Sequence, residues 1–400
     1  MRILDLTTLY IDGSEGGVNT YLREKARYLS ESGLHTHTAI VPGRKSETTS
    51  LYSTLVHKVK SPALPSNPQH RVFVDLRTVC ALIKETRPDV VEVDCSFLLG
   101  YAARRAIGHR NVPIVGFYHV HLPMLYKRPV QNFIRRHLAS RTEPMAWRYT
   151  RFCTAPCHRI LVTSRDMYWR LRGHDFPPLE FLPLGVNLDL FQPWSGAGKR
   201  TIRGVNPKAP VVLFVGRLSP EKNLPLLFRT HEILHARCGS QLVIAGDGPL
   251  RSRTERFARR QPGAFFIGTC PYGEELAQLY QSADVLIVPG ESETFGLIIL
   301  EALASGVPVV AARRGGPAEL VEPGLGELAE PNNPEDFASK VEALLGRERP
   351  PAQSYRRYVE DRYSWERMFH RLVDVYGSLR EELAASSTSE TAARGVAERA

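Results

Sequence analysis

The segment ESETFGLIILE, residues 291–301, places Glu293 and Glu301 eight positions apart. It follows DVLIVPG, an apolar run that predicts a buried strand leading into a helix. A buried carboxylate is costly unless a partner pairs with it, so two glutamates at such a corner favour a binding role. If the helix begins near Thr294, the two carboxylates are separated by at most about 12 Å. One could then hold ribose hydroxyls while the other holds sugar hydroxyls of a sugar nucleotide.

The same corner offers groups that bind phosphate. A helix that starts near Thr294 leaves the first-turn amides of Phe295, Gly296 and Leu297 without intrahelical partners, and such amides attract anions. A second loop, GRLSPEKN, follows the apolar run VVLFV and carries Arg217 and Lys222. Two cations in one tight turn can neutralise a pyrophosphate. Together these loops predict a site for a nucleoside diphosphate.

The elements that position these loops alternate between short apolar strands and helices. The chain begins with RILDLTTL, and a helix over VNTYLREKARYLSES ends at Gly33. Further strands are predicted at TAIVP, DVVEVD, PIVGFYH, RILVTS and LEFLPLG, and a second series at PVVLFV, QLVIAG, AFFIG, DVLIVP and PVVAA. This alternation predicts an α/β protein with two Rossmann-like, doubly wound parallel sheets.

The domain boundaries are predicted from changes in composition. The first domain covers residues 1–190, a linker rich in glycine and proline covers 191–208, and the second domain covers 209–353. A long helical pattern follows over 354–383, and we expect the small, polar tail 384–400 to be disordered. Open parallel sheets bind ligands beyond the carboxyl ends of their strands, so the loops described above are where a site is expected.

Composition narrows the class of protein. No apolar run approaches the roughly 18 residues of a membrane span, and the start MRILDLTTL lacks the features of a secretory signal, so a cytoplasmic protein is expected. The six cysteines are scattered, and the pair in CTAPCH, 153–158, has no second pair beside it, so no metal site is assigned. The net charge of +10 indicates a surface that prefers ligand phosphates, nucleic acid or anionic lipid.

Much of that charge lies in the stretch 127–151, with seven Lys/Arg against one Glu. The apolar residues interleaved with them are Phe133, Ile134, Leu138, Met145 and Trp147. A helix of this kind is typical of attachment to an anionic membrane surface. The alternative is a helix that packs its apolar stripe onto its own domain and exposes a basic face to solvent.

Several segments resemble a known family. GRLSPEKN, AGDGP, ADVLIVPGESETFGLIILEALASGVPVVA and GVNLDLFQP are similar to the GT-B retaining glycosyltransferases of family 4, with their Glu-x7-Glu motif, and GGVNTYL and FYH add to the likeness in the first domain. The resemblance covers most of residues 1–375. It implies two Rossmann-like domains facing a cleft and a C-terminal helix that crosses back to the first domain. It also implies sugar transfer from a nucleotide donor with retention, without metal or other cofactor.

The resemblance assigns roles to residues. It implies that Arg217 and Lys222 bind the diphosphate, that Glu301 binds the ribose diol, and that Glu293 holds the donor sugar. His119 would lie beside the reacting sugar, with His121 as the rival for that role. The catalytic set is therefore His119, Glu293, Arg217 and Lys222, and further donor-binding residues are Gly16, Gly17, Ile267, Gly268, Thr294, Phe295, Gly296, Leu297 and Glu301.

Two positions depart from the family pattern. Asn187 stands in GVNLDLFQP where the family commonly has aspartate, and Gly290 stands where serine is usual. Both lie beside the expected donor site and leave its charged groups in place. They bear on which nucleotide is used.

The resemblance favours mannosyl transfer from GDP-mannose to a lipid or glycan acceptor at the inner face of a membrane. The alternatives are transfer from UDP-glucose or another UDP-sugar and a non-catalytic sugar-nucleotide-binding protein. A dehydrogenase is disfavoured because GDGPLR, 246–251, ends the G-x-G-x-x-G pattern in Arg251. A nucleic-acid-binding protein would leave the paired glutamates unexplained, and we expect no nucleic-acid partner.

Overall fold

The structure, a computed structural model, describes residues 1–11, 16–64, 67–95, 97–121, 136–196, 202 and 204–397. For 67–69, 136–142 and 387–397 it describes the backbone alone. The chain divides into two compact units. The first unit comprises Met1–Thr163, Met167–Leu182 and Glu366–Ala400, and the second comprises Ser164–Asp166 and Pro183–Trp365. The second unit thus begins eight residues before the expected linker at 191–208.

The first unit is built on a parallel sheet. Its strands are β1 (Arg2–Leu6), β2 (Thr36–Gly43), β3 (Glu47–Leu51), β4 (Thr54–Lys60), β5 (Ala63–Leu64), β6 (Asn67–Arg71), β7 (Val90–Asp94), β8 (Ile114–Tyr118), β9 (Arg159–Val162) and β10 (Leu179–Phe181). The main sheet has the order β10-β9-β8-β7-β1-β2-β4-β3, and only β3 runs antiparallel to its neighbour. Short β5 and β6 form a separate antiparallel pair.

Strand order reverses between β1 and β7, so the carboxyl ends of these two strands mark a switch point of the kind where ligands bind. The central strands are buried because their sequences are nearly continuous apolar runs covered on both faces. β3 and β4 were not predicted, since polar residues such as Thr48 and Lys58 break up their apolar pattern.

Helices flank the first sheet. They are α1 (Gly17–Ser32), α2 (Leu76–Thr86), α3 (Leu99–Ile107), α4 (Arg136–Thr154) and α5 (Arg165–Arg172). Helix α1 ends as predicted, because Gly33 adopts the left-handed conformation with φ of 62° and donates to the carbonyl of Leu29. Of the basic stretch 127–151, Phe133 and Ile134 and the side chain of Leu138 lie outside the described residues.

The second unit contains a six-stranded, all-parallel sheet. Its strands are β11 (Val211–Val215), β12 (Gln241–Ala245), β13 (Ala264–Gly268), β14 (Val285–Val288), β15 (Val309–Ala312) and β16 (Gly326–Ala329), in the order β13-β12-β11-β14-β15-β16. The helices are α6 (Leu224–Cys238), α7 (Arg251–Arg260), α8 (Glu274–Gln281), α9 (Leu297–Ala304), α10 (Pro317–Leu320), α11 (Pro334–Gly346) and α12 (Ala352–Arg362). Here the strand order reverses between β11 and β14. The loop after β11 carries Arg217 and Lys222, which are predicted to bind phosphate, and the loop after β14 carries Glu293.

The C-terminal region forms two helices. After α12, helix α13 runs over Trp365–Ala397 and is part of the first unit from Glu366 onward. The helix extends through most of the tail that we expected to be disordered at 384–400. Alanine and glutamate in that tail are good helix formers, which accounts for the difference. Among the described residues, no helix is both long and apolar enough to cross a bilayer.

Candidate active site

The carboxylate of Glu301 is buried inside the second unit. Glu301 lies in the second turn of α9, and the hydroxyl of Tyr280 in α8 donates a 2.7 Å hydrogen bond to its Oε2 atom. Burial raises the pKa of Glu301 to about 7, although the hydrogen bond from Tyr280 acts in the opposite direction. The carboxyl group is therefore poised between its charged and neutral forms at neutral pH. A ligand that donates hydrogen bonds would favour the charged form.

Lys222 and Glu293 form an ion pair at the carboxyl edge of the second sheet. Lys222 ends a single 3-10 turn, Pro220–Lys222, in the loop after β11, and Glu293 lies in the loop after β14. Both side chains are mostly buried, with 19% and 18% of their surface exposed. The family resemblance assigned Lys222 to the diphosphate and Glu293 to the sugar of one donor. The ion pair places these two side chains next to each other. A bound donor could take hydrogen bonds from Lys222 and donate them to Glu293.

Helix α9 begins at Leu297, so the prediction of a start near Thr294 was wrong by three residues. The reason is Gly296, which adopts a left-handed conformation with φ of 106° and serves as the N-cap without a side-chain hydrogen bond. Glycine takes this conformation at little cost, and the turn sets the direction of the helix start. The first-turn donors of α9 are therefore the amides of Leu297 and of the residue after it. Thr294 and Phe295 lie in the loop before the helix.

Close packing of backbone holds this loop in place. A Cβ atom added to Gly316, in the loop after β15, would lie 2.7 Å from both Phe295 Cα and the Thr294 carbonyl oxygen. A Cβ atom on Gly290 would lie 2.9 Å from the carbonyl oxygen of Glu221, next to Lys222. Glycine at 290, where the family usually has serine, therefore lets the two loops that carry Lys222 and Glu293 approach closely.

A chain of polar contacts ties together four loops at the same edge. Glu291 accepts a 3.0 Å hydrogen bond from Arg314 and another from the amide of Asn332. Asn332 in turn accepts a 2.9 Å bond from Asn223, which directly follows Lys222. These contacts join the loops after β14, β15, β16 and β11. These contacts could not be predicted from the sequence, because no local pattern distinguishes Glu291 from the other polar residues of ESETFG.

The remaining donor residues of the second unit also lie in loops or at strand ends. Arg217 follows β11 and is partly buried. Ile267 is 41% exposed at the end of β13, and the next residue, Gly268, has φ of 76° and accepts a 2.7 Å hydrogen bond from the amide of Gly246. An exposed aliphatic side chain at this edge provides an apolar surface of the type that a planar base can cover.

In the first unit, Gly16 and Gly17 lie at the exposed start of α1. Gly16 is the N-cap, with no side-chain cap, and its carbonyl accepts a 3.0 Å hydrogen bond from the amide of Thr20. Residues 12–15 of the preceding loop lie outside the described part of the chain. The glycines leave the helix start open to an approaching anion.

His119 lines a small cavity of the first unit, at the carboxyl ends of β1 and β7, together with Tyr21, Glu92 and Asp94. Its ring stacks on Phe117 with the centroids 4.2 Å apart and contacts Tyr21 at 5.3 Å. Burial, with the charge of Lys25 as a second cause, lowers the pKa of His119 to about 3. The imidazole is thus neutral at physiological pH and can act as a hydrogen-bonding group rather than as a cation.

His121, the rival, occupies a different environment. Its Nδ1 atom lies 3.0 Å from the hydroxyl of Tyr118, and its ring packs edge-on against Trp147. Trp147 stacks on His174 with the centroids 3.7 Å apart, so it belongs to the packed side of α4. Trp147 therefore packs inward, as in the alternative in which the helix places apolar residues against its own domain, and His121 lies beside this packed side.

A buried charge network that was not predicted from the sequence lies next to His119. Lys25 in α1 contacts Asp5 in β1 at 2.6 Å and Glu92 in β7 at 3.2 Å. Tyr376 in α13 hydrogen-bonds to Lys25 at 2.9 Å, and Tyr21 donates to Glu92 at 2.9 Å. The sequence signal was present, since Lys25 falls three residues after Leu22 in the apolar stripe of α1.

The charges in this network compensate one another. Burial would raise the pKa of Asp5, but Lys25 and His37, whose Nε2 lies 3.1 Å from Asp5 Oδ2, outweigh it and lower that pKa. The pKa of Glu92 is raised by burial and by nearby Asp5. Asp94, at the end of β7, accepts hydrogen bonds from the Thr7 hydroxyl at 2.9 Å and the Thr8 hydroxyl at 3.0 Å.

Two parallel-sheet α/β units, with cationic and carboxylate groups at the carboxyl edge of the second sheet, have the architecture of the GT-B fold. The model for glycosyl transferases group 1 matches residues 198–364, and that for glycosyltransferase family 4 matches residues 15–190. Sucrose-phosphate synthase from Thermosynechococcus elongatus has the same fold, with a TM-score of 0.77, 21% identity, and coverage of 95% of this chain and 99% of that one.

Two curated relatives are similar over long stretches. A GDP-mannose-dependent alpha-mannosyltransferase of Corynebacterium glutamicum is 30% identical over 82% of this chain and 76% of the relative. A GDP-mannose-dependent alpha-(1-6)-phosphatidylinositol dimannoside mannosyltransferase of Mycobacterium tuberculosis is 30% identical over 98% of this chain and 100% of the relative. The chain belongs to the family 4 glycosyltransferases, and it is a glycosyltransferase enzyme.

Proposed function

We propose that the protein transfers mannose from GDP-mannose to a lipid or glycan acceptor, with retention of anomeric configuration and without a metal ion. The arrangement of charged groups around the Gly296 turn carries this proposal. Glu301 is buried in the helix that follows the turn, and Glu293, paired with Lys222, lies in the loop that precedes it. The choice of mannose and of guanosine is supported by the two mannosyltransferase relatives named above.

Each group of the second unit has a proposed role in holding the donor. Glu301 accepts hydrogen bonds from the ribose diol, and Ile267 with Gly268 provides the surface beside the base. Arg217 and Lys222 bind the diphosphate, together with the first-turn amides of α9 near Leu297. With the donor bound, Lys222 donates both to Glu293 and to a phosphate oxygen, and Glu293 also accepts from a hydroxyl of mannose.

The chemistry follows from where negative charge develops. Cleavage of the bond between the anomeric carbon and the diphosphate oxygen leaves negative charge on the released GDP, and Arg217 and Lys222 stabilise it. The acceptor hydroxyl forms the new bond to the anomeric carbon from the same face. Its proton passes to the oxygen of the departing diphosphate, so no protein nucleophile is required. These fixed cations supply the stabilisation that a metal supplies in other transferases.

In the first unit, Gly16 and Gly17 are proposed to interact with the diphosphate and His119 with the reacting sugar. A neutral imidazole can exchange a hydrogen bond with a sugar hydroxyl without adding positive charge beside an oxocarbenium-like centre. The low pKa of His119 keeps it in that form.

We further propose that the reaction takes place at the cytoplasmic face of a membrane. A lipid acceptor is held in a bilayer, and the cytoplasmic leaflet carries anionic lipids that attract a protein with a net charge of +10. The relative of Mycobacterium tuberculosis named for phosphatidylinositol dimannoside supports a lipid acceptor.

The proposal is tested by incubating the purified protein with GDP-[14C]mannose and a total bacterial lipid extract, with UDP-[14C]glucose in parallel. We expect label in the organic phase from GDP-mannose and an α-linked product by NMR. Glu301→Ala should abolish the label, whereas Arg229→Ala, an exposed site on α6 paired with Glu232, should retain it. Label from UDP-glucose alone would contradict the donor assignment, and a β-linked product would contradict retention.

A further inference from the structure

An exposed face of the first unit combines aromatic and basic side chains. We name it the aromatic-basic face, and it consists of Leu98, Tyr101, Arg104, Arg105, Met145, Arg148, Tyr149, Arg151 and Phe152. Met145 is 69% exposed and Phe152 is 53% exposed, and the other members are also classed as exposed. Large apolar side chains exposed in a group rather than singly mark an interaction surface.

Two helices present this face as one surface. The rings of Tyr101 in α3 and Phe152 in α4 stack with their centroids 4.9 Å apart. The helices can approach because a Cβ atom at Gly100 would be only 3.3 Å from Pro156, just beyond α4. Since Met145, Tyr149 and Phe152 are spaced four and three residues apart, they lie along one side of α4.

The opposite side of α4 already has its partners. Ala146, Thr150 and Cys153 are buried, and Trp147 stacks on His174. The described side chains of α4, residues 143–154, therefore pack against their own unit through a side other than the aromatic-basic face. This differs from the alternative in which the apolar stripe of the helix packs inward and its exposed side is only basic.

The charge on this face is of one sign. Among the described residues, no carboxylate lies within salt-bridge distance of Arg104, Arg105, Arg148 or Arg151, although many arginines elsewhere in the chain pair with acids. Four arginines around exposed aromatic and aliphatic groups complement a surface that is anionic outside and apolar beneath. The aliphatic Leu98 and Met145 favour a bilayer over nucleic acid, because they add apolar area without a plane on which a base can stack, as it could on Tyr149 or Phe152.

We propose that the aromatic-basic face docks onto the surface of an anionic phospholipid bilayer, with the aromatic rings at the headgroup level and the arginines against lipid phosphates. Leu98 directly precedes α3, which follows the carboxyl end of β7 and Asp94. The face therefore begins near the edge of the first sheet where His119 lines its cavity. The inference deepens the proposed function, since it names the surface through which a lipid acceptor would be met.

Vesicle co-sedimentation of the full chain tests the proposal without using catalysis, so its failure and that of the transferase proposal are distinguishable. The probes are vesicles of phosphatidylcholine alone and of phosphatidylcholine with phosphatidylglycerol in equal parts. We expect binding to the anionic vesicles only. Each arginine near an anionic surface contributes about fivefold in affinity, so Arg148→Gln with Arg151→Gln should weaken binding about 25-fold.

Two comparisons sharpen the test. Phe152→Ser with Met145→Ser should weaken binding while leaving net charge unchanged. Arg256→Gln with Arg260→Gln, exposed sites on α7 of the second unit, removes the same charge elsewhere and should leave binding within about twofold. Thermal unfolding of each variant checks that it is folded.

Three results would overturn the proposal. The first is absence of wild-type binding to the anionic vesicles. The second is equal loss of binding in the α4 and α7 arginine variants, which would show that total charge, not this face, is responsible. The third is binding to a polynucleotide with none to vesicles.

Discussion

The hydroxyl of Tyr280 donates a 2.7 Å hydrogen bond to Glu301, and both side chains are buried in the second unit. The contact joins α8 to α9 and holds the carboxyl group of Glu301 in one orientation. Burial raises the pKa of Glu301 to about 7, so part of the population is protonated at neutral pH. The ribose diol that we assign to this carboxyl group would donate hydrogen bonds, which only the charged form accepts at both oxygens.

Nucleotide binding should therefore release a proton from Glu301. Its pKa of about 7 in the folded protein is above the ordinary pKa of a glutamate, so below about pH 7 the free protein carries a proton that binding removes. Affinity for GDP should rise as pH increases from 5.5 to 7.5, by up to about tenfold for each pH unit below the pKa. Calorimetry in buffers of different ionisation enthalpy measures the proton release. Glu301→Gln should bind more weakly and with no such release, and proton release that persists in this variant would refute the assignment.

Lys222→Met should lower kcat for mannosyl transfer by about 10²- to 10³-fold, because the variant loses a fixed cation at the departing diphosphate. It also leaves Glu293 without its partner in the ion pair. The measurement is steady-state kinetics with GDP-mannose. Arg229→Met, on exposed α6, is the matched control and should have wild-type kcat. Equal rates for wild type and Lys222→Met would exclude Lys222 from charge stabilisation.

His119→Ala should lower kcat by about 10²-fold, since a group beside the reacting sugar is lost. Because the pKa of His119 is lowered to about 3, the wild-type rate should show no ionisation of this histidine between pH 5 and 8. His121→Ala should instead reduce the free energy of unfolding by about 1 kcal/mol, through loss of the contact with Tyr118, and change kcat little. The reverse pattern would make His121 the functional residue.

Gly316→Ala should destabilise the protein by about 1–3 kcal/mol, because the added Cβ atom lies 2.7 Å from Phe295 Cα. The displaced loop carries Glu293, so GDP affinity should fall as well. Gly377→Ala is the control, as its Cβ atom meets nothing within 4 Å in helix α13. That change should stabilise the protein by about 0.5–1 kcal/mol. Chemical denaturation measures the stability of both variants, and calorimetry measures their affinity for GDP. Unchanged stability and affinity in Gly316→Ala would show that the loop shifts to make room for the Cβ atom at little energetic cost.

Lys25→Met should reduce the free energy of unfolding by about 3–5 kcal/mol, because Asp5 and Glu92 would be left buried without their cation. Lys84→Met, at an exposed site of α2, should change stability by less than about 0.5 kcal/mol. Denaturation by urea compares the two variants. If Lys25→Met changed stability as little as Lys84→Met does, Asp5 and Glu92 would have to become protonated at little cost when their cation is removed.

Much of the fold and part of the site could be predicted from local sequence. Continuous apolar runs such as those of β11 and β14 identify buried parallel strands, and the loops after them carry Lys222 and Glu293 as expected. The ion pair between these two residues, 71 positions apart, was not predicted, because their spacing in the sequence does not show it. The boundary of α9 was misplaced because periodicity does not show that Gly296 is left-handed.

Other features depend on contacts between distant parts of the chain. Tyr280 is 21 residues from Glu301, and no pattern in either helix identifies the pair. The buried network joins Asp5, Lys25, Glu92 and Tyr376, which come from four separate elements. Its sole local signal is a lysine in an apolar stripe, which alone cannot reveal the carboxylates that pair with it.

Calorimetric titration of the wild-type protein with GDP and with UDP, repeated on Glu301→Ala, tests whether the loops around Gly296 form a nucleotide-sugar site. We expect GDP to bind with higher affinity than UDP, and we expect binding to be lost in the variant while the protein remains folded. No binding of either nucleotide to the folded wild-type protein, or unchanged binding in Glu301→Ala, would contradict a nucleotide-sugar site at the Gly296 turn.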